Sequence, residues 1–425
     1  MTAYHQMSRQ ELEKEKSLLD AAYAAFQARN LKLNMARGKP SVEQSNLSNG
    51  MFNCLSSNDY FSEDGVDCRN YGTLDGIPEM KRIFADLLHL SPDEIIVGGN
   101  SSLAMMFDNV SSNMSHGVRN GIPWSKQGEV KFLCPSPGYD RHFGICEYFH
   151  IQMIPVAMTE TGPDMDEVER LVSSDPMIKG IWCVPKYSNP DGIVYSDETV
   201  RRMANLKPAA SDFRIYWDDA YAIHYLYDKP ATILNILREC EKAGNPNMPL
   251  IFSSFSKISF AGAGVACIAA SRSNIEFIKQ RMAMQTIGHD KLNQLRHARF
   301  FKDAQGVLDH MAKHAAILRP KFEAVEEALE RELAPLQLAH WQNPKGGYFI
   351  SVYVPDGCAK RVVQLCKEAG VVLTGAGATY PYGKDSHDSN IRVAPSYPSV
   401  EELKIAADLF CLCVKLAAAE KILNE

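Results

Sequence analysis

The sequence predicts an α/β protein, a three-layer αβα large domain around a mainly parallel sheet with a smaller α+β domain beside it. Three observations carry this. Short apolar runs recur along the first two thirds of the chain: Glu94-Ile95-Ile96-Val97, Val130-Lys131-Phe132-Leu133, Ile151-Gln152-Met153-Ile154, Ile181-Trp182-Cys183-Val184, Arg214-Ile215-Tyr216-Trp217 and Pro249-Leu250-Ile251-Phe252. Amphipathic stretches near 166–173, 197–206 and 232–242 separate most of them. Strands alternating with helices argue for a parallel sheet covered on both faces. From about Asn274 to Leu333 the pattern turns helical and charged, as one or two long helices leading to a second unit.

In chain order, Ser8-Arg9-Gln10-Glu11 reads as a capping box that opens a helix through Leu18, Leu19, Ala22 and Phe26. Ala36-Arg37-Gly38-Lys39-Pro40 is a breaker carrying two cations, and Asn70 to Gly76 is a loop. Pro78 suits the first turn of a helix holding Met80, Ile83, Phe84 and Leu87. The run at 94–97 leads into Gly98-Gly99-Asn100-Ser101-Ser102 and a helix over 103–114, a geometry that aims free backbone N–H groups at an anion. It lacks the lysine of a Walker loop and the third glycine of the dinucleotide fingerprint. Residues 334–425 supply strands at 347–353, 371–373 and 391–393, a helix near 359–369 and a terminal helix from Ser399.

Composition excludes several classes of function. The 425 residues are 45% hydrophobic and 23% charged, as in ordinary globular proteins. A net charge of −6 offers no electrostatic footprint for nucleic acid or an anionic membrane. No apolar run approaches the roughly 20 residues needed to span a bilayer, and no signal peptide is visible. Eleven scattered cysteines suggest reduced, buried thiols in a cytoplasmic protein, and twelve histidines form no ligand spacing, so no metal site is expected.

Folds of this class place ligands at the carboxyl ends of strands. Those ends carry Pro135-Ser136-Pro137-Gly138-Tyr139, Ser188-Asn189-Pro190-Asp191-Gly192, Trp217-Asp218-Asp219-Ala220-Tyr221 and Ser253-Ser254-Phe255-Ser256-Lys257. A lysine delivered to a polar, glycine-lined pocket is a plausible home for a Schiff base, where a desolvated amine attacks an aldehyde. Taken singly, each residue has an ordinary structural role: Lys257 in a solvated loop, Asp218 as a helix cap, Asn189 in a turn, Tyr139 and Tyr221 as packing. Together they suit pyridoxal phosphate, which needs a lysine for its aldehyde, a carboxylate for its ring nitrogen, donors for its phenolic oxygen, an aromatic to stack on and an anion cradle. Lys257, Asp218, Asn189 with Tyr221, Tyr139, and Asn100-Ser101-Ser102 meet these needs in turn.

The ordered set Tyr71…Gly76, Asn189-Pro190-Asp191-Gly192, Asp218-Asp219-Ala220-Tyr221, Ser254-Phe255-Ser256-Lys257 and Ile391-Arg392-Val393 resembles the class-I aminotransferases of fold type I. Arg37-Gly38-Lys39-Pro40, the stretch Pro135 to Arg141 and Phe260 to Val265 resemble a bacterial, aspartate-aminotransferase-like branch. The resemblance implies a large cofactor-binding domain over 50–300 and a small domain made of 1–49 with 301–425. It implies that Lys257 holds the cofactor as an internal aldimine and moves the substrate proton, with Asp218 on the pyridine nitrogen and Asn189 and Tyr221 on the phenolic oxygen. Arg392 clamps the substrate carboxylate, and Gly38 packs near the substrate. Tyr71 reaches the phosphate of a neighbouring subunit, so a homodimer with shared sites is expected.

The implied reaction moves an amino group from an L-amino acid, aspartate first, to a 2-oxo acid such as 2-oxoglutarate by a ping-pong mechanism. A β-lyase or decarboxylase on the same scaffold is the alternative. An effector-sensing module fused to a DNA-binding domain is disfavoured, because too few residues precede Gly38. Arg37, Lys39 and Arg141 are the cations available for a distal carboxylate. One departure stands out: Val265 lies eight residues after Lys257, where many relatives have an arginine for the phosphate. The phosphate must then rest on Ser101, Ser102, Ser254, Ser256, Tyr71 and the helix N-terminus, or on a substitute such as Arg281.

Overall fold

A computed structural model describes residues 4–425. Helix α1 (Arg9–Gln27) starts from the expected capping box: Ser8 Oγ accepts the Glu11 N–H at 3.3 Å, and the Glu11 carboxylate accepts the Ser8 N–H at 2.7 Å. Such a cap stabilises a helix by about 1 kcal/mol. The buried stripe of α1 is Leu12, Leu19 and Tyr23, whereas Leu18 is 62% exposed. Steps of seven and four residues return to one face of a helix, and a neighbouring residue lies about 100° around it. Of the residues named from the sequence, Leu19 is therefore buried and Phe26 packs against the same core, while Leu18 and Ala22 are exposed. Strand β1 (Leu33–Asn34), α2 (Val42–Asn46) and α3 (Pro78–Leu88) follow, with Pro78 in the first turn of α3.

The large sheet is built from β2 (Ile95–Val97), α4 (Ser102–His116), β3 (Lys131–Ser136), α5 (Asp140–Tyr148), β4 (Gln152–Thr159), β5 (Gly162–Pro163), α6 (Met165–Ser174), β6 (Ile178–Cys183), α7 (Asp197–Ala204), β7 (Arg214–Asp218), α8 (Ile236–Lys242), β8 (Pro249–Ser254) and β9 (Ala266–Ala269). Its eight strands run in the order β2-β9-β8-β7-β6-β3-β4-β5. The pairs from β8 through β4 are parallel, while β9 is antiparallel to both neighbours and β5 to β4. Strand β9 has no counterpart in the sequence reading. Only Ile268 in it is β-branched, and it is a strand because β2 and β8 supply ladders on both sides.

Neighbouring residues of each strand enter different cores: Leu133, Ile215, Trp217 and Ile251 pack on one face of the sheet, and Phe132, Tyr216, Leu250 and Phe252 on the other. That is the period of two, with helices completing both layers. Where one or two helices were expected there are three: α9 (Arg272–Gln285), α10 (Lys291–Phe301) and α11 (Ala304–Glu332). Helix α11 joins two cores. Val307 and Met311 pack with the large sheet, and Phe322 and Leu329 with the C-terminal unit.

That unit contains β10 (His340–Trp341), β11 (Ile350–Tyr353), α12 (Ala359–Glu368), β12 (Val371–Val372), β13 (Asn390–Val393) and α13 (Val400–Asn424). Strands β10, β11 and β13 form an antiparallel sheet with Ser351 opposite Arg392, and β1 pairs with β12 in parallel. The α1 stripe packs into the same core as Phe410 and Leu416 of α13. Each such fully buried side chain stabilises by about 1.5–3 kcal/mol. The N-terminal segment is therefore held by the C-terminal unit, which brings residues 36–39 over the strand ends of the large sheet. Among the described residues, no helix is long and apolar enough to cross a membrane.

Candidate active site

A cavity of about 550 Å³ lies at the carboxyl ends of the parallel strands, closed from above by residues 36–39, Phe349, Thr374 and Arg392. Sheet order sets its layout. Ser101 and Ser102 follow β2, Ser254 ends β8 and Ser256 and Lys257 follow it, Asp218 ends β7, Asn189 lies in the loop after β6, and Tyr139 follows β3. Of the residues singled out in the sequence, Lys257, Asp218, Tyr221, Tyr139, Asn189, Ser101, Ser102, Ser254, Ser256, Arg392 and Gly38 line this one cavity.

Two do not. The Asn100 amide turns to the Gly262 carbonyl at 3.2 Å, and only its backbone oxygen faces the cluster, accepting the Ser256 hydroxyl at 3.1 Å. Tyr71 is 81% exposed and lies outside the cavity. Arg281 lines a separate cavity with Met105 and His116, so it does not stand in for the missing arginine. Val265 is buried in the core, and its carbonyl accepts the Phe255 N–H at 2.7 Å.

Lys257 projects from the loop after β8 with Nζ 4.9 Å from the centre of the Tyr221 ring. Burial lowers its pKa, opposed by the negative charge of Asp218. The amine therefore reaches its neutral, nucleophilic form more readily than a surface lysine does. Asp218 is almost fully buried and its two oxygens differ. His142 Nε2 stands 3.0 Å from Oδ2, whereas Oδ1 has no hydrogen-bond partner. His142 is fixed in turn by stacking on Trp182, with centroids 4.5 Å apart and 12° between planes. A buried carboxylate oxygen without a partner is costly unless something charged occupies the space before it. A protonated pyridine nitrogen has the charge and the single donor that Oδ1 lacks.

Arg392 shows the complementary arrangement. One terminal nitrogen donates to Asp140 Oδ1 at 2.9 Å and Asn189 Oδ1 at 3.2 Å, the other to Thr374 Oγ1 at 3.4 Å, and Phe349 lies beneath the guanidinium at 4.9 Å. Its Nε is buried and unpartnered. Because Asn189 Oδ1 is taken by Arg392, the Asn189 amide nitrogen is left to face the cavity as a donor. Burial raises the Tyr221 and Tyr139 phenols, the latter to about 12 with Asp218 and Asp140 contributing, so both stay protonated. Gly38 has no room for a side chain: a Cβ there would stand 2.6 Å from Phe349 Cζ.

The opposite end of the cavity is built from dipoles. Ser101 caps α4 by accepting the Ala104 N–H at 3.3 Å, and the first-turn N–H groups of a 15-residue helix have no partners within it. The cations lining the cavity among the described residues are Arg37, Lys39, Arg141, Lys257 and Arg392. Lys257 alone comes from the β2–β9–β8 side. These residues fit pyridoxal phosphate: an amine for the aldehyde, a free carboxylate oxygen for the ring nitrogen, phenol and amide donors, and hydroxyls at a helix N-terminus for the phosphate.

The sequence reading missed His142, Trp182, Asp140, Phe349 and Thr374. A signal existed only for His142, which sits three residues after Tyr139 on a helix that starts there, so the two share a face. Among the described residues, no group of three or more histidine, cysteine or acidic side chains could hold a metal ion.

Comparison with known proteins gives a consistent result. The family model described as aspartate amino-transferase matches residues 7–425. An aspartate aminotransferase of Corynebacterium glutamicum is 47% identical over 400 residues, covering 94% of this chain and 92% of the relative. The crystal structure of an aspartate transaminase from the same organism superposes with a TM-score of 0.96 at 44% identity, covering 99% of each chain. An α-aminoadipate aminotransferase from Thermus thermophilus shares the fold, with a TM-score of 0.74 at 18% identity over 93% of this chain and 95% of that one.

Proposed function

The chain belongs to the aspartate amino-transferase family and is an aminotransferase; on that premise we propose that it uses pyridoxal phosphate on Lys257 to move the amino group of aspartate to a 2-oxo acid such as 2-oxoglutarate. One observation carries the site assignment. Two buried atoms of opposite charge without a hydrogen-bond partner, Asp218 Oδ1 and Arg392 Nε, belong to residues that line one cavity together with Lys257. When bound, pyridoxal phosphate supplies an aldehyde that links to amines and a ring that withdraws electrons from the bonds at the substrate Cα.

The chain does the rest. Arg392 would hold the substrate α-carboxylate with its guanidinium, which Asp140 and Asn189 keep in register. Lys257 Nζ, its pKa lowered by burial, takes the Cα proton and returns it, as general acid–base groups do for about 10²–10⁴-fold in rate. Asp218 would face the ring nitrogen, with His142 fixing its orientation. Tyr221 and Asn189 would donate to the phenolic oxygen. Ser101, Ser102, Ser254, Ser256 and the α4 N-terminus would take the phosphate, without an arginine at 265.

Arg37 and Arg141 line the cavity with no ion pair among the described residues, and they are the candidates for the distal carboxylate. Lys39 instead stands 3.7 Å over the Tyr397 ring. The exposed Tyr71 fits a cytoplasmic homodimer in which each copy supplies this residue to the other's site. Residues 1–49 with 301–425 form the small domain in this reading, and 50–300 the large one. The test is a half-reaction of the cofactor-loaded protein with aspartate or glutamate, followed by absorbance. Conversion to the pyridoxamine form is expected, and a cofactor spectrum that both dicarboxylic amino acids leave unchanged overturns the substrate assignment.

A further inference from the structure

A second cavity, of about 280 Å³, lies beside the same strand end, with Lys186, Trp217, Asp219, Ile223, Ile233 and Leu308 among its lining residues. It shares no residue with the first. Successive residues of an extended chain face opposite sides, so Asp218 enters the first cavity while Asp219 enters the second.

The walls of this second cavity are mostly aliphatic, yet it contains two separated, undercompensated charges. Asp219 Oδ1 is buried without a hydrogen-bond partner, and among the described residues the Asp219 carboxylate is in no ion pair. Lys186 Nζ donates to the Ala222 carbonyl at 2.6 Å and reaches no carboxylate. Burial pushes the Asp219 carboxyl up to about 6 and the Lys186 amine down, and the attraction between the two opposes both shifts only in part. Asp86, His89 and Thr232 stand exposed at the rim, which gives a small molecule a way in.

A ligand that relieves both charges must carry an ammonium and a carboxylate. To fill the remaining space against Trp217, Ile233 and Leu308 it must also present an aliphatic group. We propose that this cavity binds a zwitterionic α-amino acid with a small aliphatic side chain, its ammonium on Asp219 and its carboxylate on Lys186. Asp219 is bonded to Asp218, and Lys186 lies three residues before Asn189, so this cavity adjoins two strand ends of the catalytic cavity. An effect on catalysis rests on the functional reading above; binding itself does not.

Calorimetric titration of the cofactor-loaded protein with L-leucine, without any oxo acid, tests the site. Leucine is expected to bind, and 4-methylpentanoate and isopentylamine, each lacking one charge, to bind at least about ten-fold more weakly. Asp219→Asn should weaken leucine by at least about ten-fold. Ala304→Phe, which fills the cavity from the start of α11, should abolish binding while leaving transamination within about two-fold, as expected of a change outside the catalytic machinery. Analogue binding equal to that of leucine overturns the proposal, as does the absence of leucine binding to the unmodified protein. Leucine binding unchanged in both folded variants, checked by thermal melting, places it in the catalytic cavity and overturns the proposal as well.

Discussion

In the proposed function the two ends of the catalytic cavity hold anions by different physics. At one end Arg392 brings a full charge, buried and braced by Asp140, Asn189 and Thr374, with one nitrogen unpartnered. At the other, Ser101, Ser102, Ser254 and Ser256 surround the N-terminus of α4, and the position that could hold an arginine is Val265, sealed in the core. A buried guanidinium concentrates binding in one group whose loss is severe, whereas hydroxyls and helix dipoles spread it over many groups of about 1 kcal/mol each. The charged end suits a substrate that must arrive and leave with strict orientation. The dipolar end suits a cofactor that stays.

Arg392→Leu should break the comparison most visibly. It removes the one charge aimed at the α-carboxylate and leaves Asp140 unpaired, so kcat/KM for aspartate should fall about 100-fold or more while cofactor affinity changes little. Steady-state kinetics and a cofactor titration separate the two effects. At the dipolar end, Ser101→Ala or Ser254→Ala should each raise the cofactor dissociation constant only about five-fold, because one neutral hydrogen bond contributes about 1 kcal/mol. A loss of 100-fold from a single serine would mean that this end depends on one group after all.

The smallest effect on catalysis is expected under the lysine loop, where no anion binds. Gln44 Nε2 lies 3.0 Å from His314 Nδ1 and donates to the Tyr348 hydroxyl at 2.8 Å, which in turn donates to the Lys257 carbonyl at 3.4 Å. Burial lowers His314 to about 4, below its ordinary 6.5. The unfolded chain therefore binds the extra proton between those values. Stability from this group is complete above about pH 6.5 and is lost as pH falls toward 4, by roughly 3 kcal/mol. Denaturant melts of His314→Asn should show that much less pH dependence across the window, with kcat at neutral pH little changed. Asp191 and Asp219, both raised to about 6 by burial, act in the opposite sense and lose stability as pH rises through that value.

Much of the site was legible because its residues lie directly after apolar runs. A strand read from its period carries the residue after it to a known end of the sheet, and that alone groups Ser254, Lys257, Asp218, Asn189 and Tyr139. The rest depends on contacts that topology alone creates. Arg392 meets Asp140 across 252 positions of chain, and His142 meets Asp218 across 76. Strand β9, with one β-branched residue, exists because its neighbours do. Leu18 and Leu19 could not be told apart because an exposed leucine carries the same letter as a buried one. The Asp219 cavity was invisible for the same reason: an acidic pair in sequence does not show that its members face different chambers.

The assignment of Lys257 stands above the others. Borohydride reduction of the cofactor-loaded protein, followed by peptide mass analysis, fixes the cofactor to whichever lysine holds it. A single pyridoxyl group is expected on the peptide containing Lys257, and none in Lys257→Ala. A label on another lysine, or an unchanged covalent adduct in the variant, would contradict the assignment.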